Sequence, residues 1–257
     1  MTSPASCAAC RDGAALGFDF SLAFQPILDT TAHRVFAYEA LVRGTDGSGA
    51  AGVLAQVDAD NRYRFDQACR VKAVTLAAEL GVDCQLSINF MPNAVYQAAT
   101  CLRATLAAAR RVNFPAERLM FEIVESEQAH DHAHLAHIVA EYARQGFLTA
   151  LDDFGAGYSG LALLADIRPD IIKLDMALIR GIDRDRVRQI LVQHTLHMCE
   201  ELGIRVIAEG VETLEEWQTL DAMGVRLFQG YLFARPGFEH LPEVRWPQAI
   251  PGGNGGS

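Results

Sequence analysis

Residues 170–211 read DIIKLDMALIRGIDRDRVRQILVQHTLHMCEELGIRVIAEGV. Two short apolar runs, DIIKLD (170–175) and RVIAEGV (205–211), flank RVRQILVQHTLHMCEELG (186–203), where apolar residues recur at helical spacing. Strand, helix, strand in that order specifies parallel strands joined by a crossover helix. Working outward, similar strand-like runs stand at SLAFQPILD (21–29), VFAYEALVR (35–43), CQLSINF (84–90), LMFEIVES (119–126), FLTALDD (147–153) and RLFQGYL (226–232). Helical periodicity returns at 62–80 and 134–146. Eight strands alternating with helices in a chain of 257 residues predict an α/β fold, a TIM-like (β/α)8 barrel.

One connection departs from that plan. Only Thr30-Thr31-Ala32-His33 and their neighbours separate the first two strands, whereas a parallel crossover needs about a dozen residues or more. The first pair is therefore expected to be an antiparallel β-hairpin, giving the barrel one antiparallel strand. Thr213-Leu214-Glu215-Glu216 fits a capping box that opens a helix after the seventh strand. The expected division is an N-terminal extension (1–19) carrying Cys7-x-x-Cys10, a barrel (20–250) and a flexible Gly-rich tail (251–257).

Half the residues are hydrophobic and the net charge is −10, with no basic run. That composition suits a globular domain and disfavours long nucleic acids, whose binding rests on neutralising phosphates. No 18-residue apolar stretch and no basic-then-apolar leader appears, so a cytoplasmic protein without membrane association is expected. The six cysteines are too scattered for a disulfide framework. Cys7 and Cys10 lack a second pair at metal spacing. His130, His132, His134 and His137 contain no H-E-x-x-H and read best as an exposed polar face.

Each strand also carries one conspicuous polar residue: Gln25, Glu39, Asn89, Glu122, Asp152, Lys173, Glu209 and Gln229. Buried unpaired, such groups would cost several kcal/mol apiece, so they need a shared destination. In a barrel that destination is the mouth at the C-terminal ends of the strands, where active sites of this architecture lie. Taken singly, Gln25 or Gln229 reads equally well as a satisfied structural amide. Carboxylates gathered there repel unless a cation sits among them, and oxygen ligands suit Mg²⁺, Mn²⁺ or Ca²⁺. Adjacent Asp152 and Asp153 can both face the mouth only if the strand ends and the chain turns at Phe154-Gly155. A doubled carboxylate of this kind can bridge two cations, the arrangement of two-metal phosphodiester cleavage.

Gly155-Ala156-Gly157-Tyr158-Ser159-Gly160 also matches the dinucleotide fingerprint G-x-G-x-x-G, with Asp175 placed like a ribose-binding acid. Too few residues separate Gly160 from the next strand for a full phosphate-binding helix, and two aspartates at the loop mouth would repel a pyrophosphate.

Glu39-Ala40-Leu41 with Val42-Arg43, Ser87-Ile88-Asn89, Phe121-Glu122-Ile123-Val124-Glu125, Asp152-Asp153-Phe154-Gly155-Ala156-Gly157-Tyr158-Ser159, Ile172-Lys173-Leu174-Asp175, Ala208-Glu209-Gly210-Val211-Glu212 and Gln229-Gly230-Tyr231 follow in order. Together, over residues 20–238, they resemble the EAL-domain family of cyclic di-GMP phosphodiesterases. The resemblance implies two Mg²⁺ or Mn²⁺ ions, inhibition by Ca²⁺, and hydrolysis of cyclic di-GMP to linear 5′-pGpG. It implies Glu39, Asn89, Glu122 and Asp152 on one metal and Asp152 with Asp153 on the second. Lys173 would hold or deprotonate the attacking water, with Glu209 and Gln229 completing the hydrated shell. Gln25, Leu41, Arg43, Asp175, Arg235 and Pro236 would contact substrate. Glu125 would anchor the loop 155–158, which couples dimerisation or an upstream signal to metal binding. Gly160 stands where the family commonly has serine, and altered loop flexibility is expected from it. A homodimer and an upstream regulatory protein are the further partners implied. The alternative is a non-catalytic cyclic di-GMP receptor on the same fold; the presence of every metal ligand and of Lys173 favours the enzyme.

Overall fold

The computed structural model describes residues 16–92, 98–124, 132–157 and 160–247. Cys7, Cys10, Glu125, His130, Tyr158, Ser159 and the Gly-rich tail lie outside the described residues.

Strands β1 (Ser21–Asp29) and β2 (Arg34–Arg43) form the expected antiparallel hairpin, with Gln25 opposite Glu39. Its turn is built by Asp29, whose Oδ1 accepts from the amides of Thr31 at 3.1 Å and Ala32 at 2.9 Å, while His33 takes φ +50°. From β2 onward the pairs are parallel: β3 (Gln85–Phe90), β4 (Leu119–Val124), β5 (Leu148–Phe154), β6 (Ile171–Leu174), β7 (Arg205–Ala208) and β8 (Leu227–Phe228). β1 then closes the barrel, pairing antiparallel with β8 through Leu28 and Asp29. A short β9 (Gly237–Phe238) adds to the other half of β1.

Helices wrap the outside: α1 (Ala50–Leu54), α2 (Arg62–Glu79), α3 (Ala98–Arg111), α4 (His132–Arg144), α5 (Gly160–Asp166), α6 (Met176–Ile179), α7 (Arg186–Leu202) and α8 (Leu214–Ala222). On α4, Leu135, Ile138 and Tyr142 are buried and His137 is exposed, as a polar outer face requires. α7 starts where Asp185 Oδ1 accepts from the amides of Val187 at 2.9 Å and Arg188 at 3.1 Å, and ends at Gly203 with φ +70°. α8 has the full capping box, Thr213 with Glu216. Thr213→Ala should cost about 1 kcal/mol, read as a lowered urea midpoint with unchanged slope; an unmoved midpoint would contradict that role.

Strand alternation sorts the barrel interior into two layers. Two residues before each polar position (two after, on the reversed β1) stand Ile27, Ala37, Met120, Ala150, Ile171, Ile207 and Leu227, all buried. They plug the lower barrel, so the polar residues above them can open only toward the mouth. Ser87 is the exception in that lower layer.

Three expectations are corrected. β5 does not stop at Asp153 but runs on to Phe154. Asp153 takes φ +55° and the β5–β6 register shifts between Leu151 and Phe154, so a bulge re-aims the second carboxylate. β7 and β8 end at Ala208 and Phe228, leaving Glu209 and Gln229 one residue past their strands. They hold their places by backbone bonds instead, Glu209 N–H to Leu174 O at 3.2 Å and Gln229 N–H to Ala208 O at 2.9 Å.

Candidate functional site

The structure brings together at one mouth all eight of these polar residues, six on strands and Glu209 and Gln229 just past them. At their centre is the Lys173 ammonium, 1% exposed, with Nζ 2.7 Å from Glu122 Oε2, 2.8 Å from Glu209 Oε1, 3.0 Å from Asp152 Oδ1 and 3.5 Å from Glu39 Oε2. Amides hold the first carboxylate: Gln229 Nε2 donates to Glu39 Oε2 at 2.7 Å, and Asn89 Nδ2 to Glu39 Oε1 at 3.0 Å. Gln25 Nε2 donates to Ala234 O at 3.2 Å across the rim.

Burial by itself lowers the Lys173 pKa, but the surrounding carboxylates, Asp152 foremost, hold it well above the usual lysine value. Burial, and behind it the neighbouring carboxylates, push Glu122 and Glu209 well above the carboxylate range. Burial and then Asp152 bring Asp153 up to about 6. Burial works the same way on Glu39, yet Lys173 and the two amides outweigh it and bring that group down. One ammonium is thus too little positive charge for the acids around it.

Two divalent cations fit that deficit. Ligand oxygens of Glu39, Glu122 and Asp152 lie within 4.8 Å of one another, as do those of Asp152, Asp153 and Glu209, and Asp152 belongs to both sets. Every donor is an oxygen, the preference of hard cations. Gln229 Oε1 is buried with no hydrogen-bond partner among the described residues, an acceptor left for a cation or its water.

Outside this ring a pocket of about 520 Å³ opens, its wall including Gln25, Asp153, Asp175, Arg180, Glu212 and Tyr231. Asp175 also caps α6, its Oδ1 accepting from Ala177 N–H at 2.8 Å. The Arg235 guanidinium stacks on the Tyr231 ring at 4.3 Å from its centroid, and Pro236 is half-buried next along the chain. Leu41 and Arg43 do not line this pocket. They face an adjoining, mainly apolar cavity of about 330 Å³ against α1 and α2, where Arg43 Nη1 donates to Val42 O at 2.7 Å.

The dinucleotide reading fails on geometry. α5 has only seven residues, and Gly155, at φ +96°, lies where a Cβ would come within 2.4 Å of Leu178 Cδ1. That glycine serves a turn beneath α6.

Sequence reasoning missed Ser87, whose hydroxyl donates to Glu122 Oε1 from the lower layer. The signal was available, since Ser87 shares a strand face with Asn89. Arg180, Glu212 and Tyr231 were missed as pocket residues because loops, with no fixed period, deliver them.

The EAL domain family matches residues 13–236. A standalone versatile EAL protein from Vibrio cholerae O395, solved in a c-di-GMP bound form, is 52% identical with TM-score 0.88, covering 90% of this chain and 98% of that one. The blue light- and temperature-regulated antirepressor BluF of Escherichia coli is 33% identical over 88% of this chain and 56% of its own length. The cyclic di-GMP phosphodiesterase PdeR of Escherichia coli is 31% identical over 68% of this chain and 26% of its own. The chain thus spans about half or less of the length of these two relatives. With the motif residues assembled on one barrel and the family matched over nearly all of them, the chain belongs to the EAL domain family.

Proposed function

We propose that this chain hydrolyses cyclic di-GMP to linear 5′-pGpG with two Mg²⁺ or Mn²⁺ ions. The observation that carries the reading is the shared carboxylate: Asp152 joins two ligand sets around a buried lysine at the barrel mouth. The c-di-GMP bound form of the Vibrio protein and the name of PdeR support the substrate.

Glu39, Asn89, Glu122 and Asp152 would hold one cation, and Asp152 with Asp153 the other. Bound there, the pair would lower the pKa of a water and offset the charge that builds on phosphorus. Lys173, fixed by four carboxylates, holds that water toward the phosphate, and Glu209 and Gln229 complete its hydrogen bonding. The water gives up a proton as its oxygen bonds to phosphorus, the bond to the ribose 3′-oxygen breaks, and that oxygen takes up a proton and leaves as a hydroxyl. Gln25, Leu41, Arg43, Asp175, Arg235 and Pro236 position the dinucleotide, and Glu125 anchors the loop after Asp153. In the same reading the barrel occupies residues 20–250 and works as a cytoplasmic homodimer answering an upstream regulator. No described helix is long and apolar enough to cross a membrane.

The alternative is a non-catalytic receptor on the same fold; BluF is an antirepressor by name, and that name carries no ligand. One assay separates them. Purified protein with cyclic di-GMP and Mg²⁺ should release linear product, chelation should stop it, and Ca²⁺ in place of Mg²⁺ should lower the rate roughly tenfold or more, because its larger, looser shell misplaces the water. Binding without product under Mg²⁺ and Mn²⁺ would establish the receptor, and full activity in Ca²⁺ would contradict the metal geometry.

A further inference from the structure

The pocket wall is acidic, with six carboxylates against Lys173 and Arg180. Lys173 is 1% exposed and ringed by acids, which leaves Arg180, among the described residues, as the pocket-lining cation with donors open to a ligand. Its side chain is 54% exposed and its Nη2 lies 2.5 Å from Glu212 Oε1, itself 43% exposed. A solvent-screened pair of that kind is weak and exchanges readily for a better anion. The backbones of both partners are nonetheless fixed. Buried Glu216 accepts from Gly181 N–H at 2.9 Å and from Glu212 N–H at 3.0 Å, and Arg188 Nη1 donates to Arg180 O at 2.6 Å. Arg180 therefore stands on a fixed backbone at the rim, with a guanidinium that can turn from Glu212 to a ligand and is opposite in charge to the site it faces.

A cyclic dinucleotide carries two phosphodiesters. The metal ligands account for the one being cleaved; the other still carries a full negative charge into an acidic pocket. We propose that Arg180 binds this second phosphate through the planar fork that suits phosphate oxygens, and so selects cyclic dinucleotides over simple diesters. The assignment rests on the proposed phosphodiesterase reading.

The test compares wild type, Arg180→Ala, Arg180→Lys and Arg43→Ala on cyclic di-GMP and on bis(p-nitrophenyl) phosphate, which has a single phosphate. Arg180→Ala should raise KM for cyclic di-GMP about tenfold, with kcat changed far less. Its loss in kcat/KM should be about tenfold larger on cyclic di-GMP than on the simple diester, and lysine should restore part of it. Equal losses on both substrates, no change in KM, or the selective loss appearing in Arg43→Ala instead would each overturn the assignment. Should the wild type release no product, the reading of the active site falls separately. Calorimetric titration of cyclic di-GMP in Ca²⁺ then still decides Arg180, by weaker binding or by none of that difference.

Discussion

Asp152→Asn is expected to cut the rate on cyclic di-GMP by about 10³-fold or more, the largest loss of any conservative change in the site. Losing an outer hydrogen-bond partner of a metal ligand already costs roughly 10–100-fold, and Asp152 is a direct ligand candidate in both sets. Asparagine keeps the shape but offers one weak oxygen where two charged ones are needed. Glu122→Gln, which touches one set, should lose less. The loss should occur without unfolding. Asp152 contributes to raising Glu122, Asp153 and Glu209, so removing its charge relieves repulsion even as Lys173 gives up one of four partners. The melting temperature in chelator should therefore be no lower than that of wild type. Product chromatography alongside thermal denaturation checks both halves, and a variant retaining about a tenth of the rate would remove Asp152 from the bridging position.

Period-two alternation made the polar ring legible in the sequence, because a strand that buries every second residue exposes any polar intruder at once. The same rule predicted the hairpin, through a connection too short for a crossover. What it could not show is where strands give way. At Asp153 a single positive φ reverses the side that strand alternation alone would give, a backbone event with no residue-type signature beyond tolerance of φ > 0. At Glu209 and Gln229 the chain leaves the barrel wall and pairs loop to loop, Val211 N–H to Gln229 O at 3.1 Å and Leu232 N–H to Val211 O at 3.1 Å. Gly230 permits that approach, since a Cβ there would lie 2.0 Å from Val211 O. Helix α2 hid a feature of another kind. Asp66 and Arg70 look like an ordinary exposed i,i+4 pair, yet the fold buries both completely against β3, β4 and α4.

That pair carries the largest expected effect on stability. Asp66 Oδ2 lies 2.6 Å from Arg70 Nη2, and Asp66 Oδ1 accepts from Met91 N–H at 3.0 Å, just beyond β3. Arg70 Nη1 donates to Tyr142 Oη at 3.1 Å, and its guanidinium lies over the rings of Phe90 and Phe121, neighbours of Asn89 and Glu122. Breaking a buried pair costs about 3–5 kcal/mol, but the two halves are not equivalent. Burial pushes the Asp66 carboxyl above its ordinary value even against Arg70, so an abandoned Asp66 can neutralise itself by taking a proton. An abandoned guanidinium cannot lose one. Asp66→Leu should therefore sit at the top of the range, about 4–5 kcal/mol, and Arg70→Met clearly below it. The Arg70→Met protein should also show the proton. With a folded pKa above the unfolded value of about 4, its native state binds more protons than the unfolded chain, so its stability falls as pH rises from about 4 toward neutrality. Replacing both residues by leucine and methionine should recover most of the loss, since two well-packed apolar groups carry no desolvation cost. Urea unfolding at several pH values tests the order. Equal losses in the two single variants, or a double variant no better than Asp66→Leu, would contradict an unpaired buried cation as the cause.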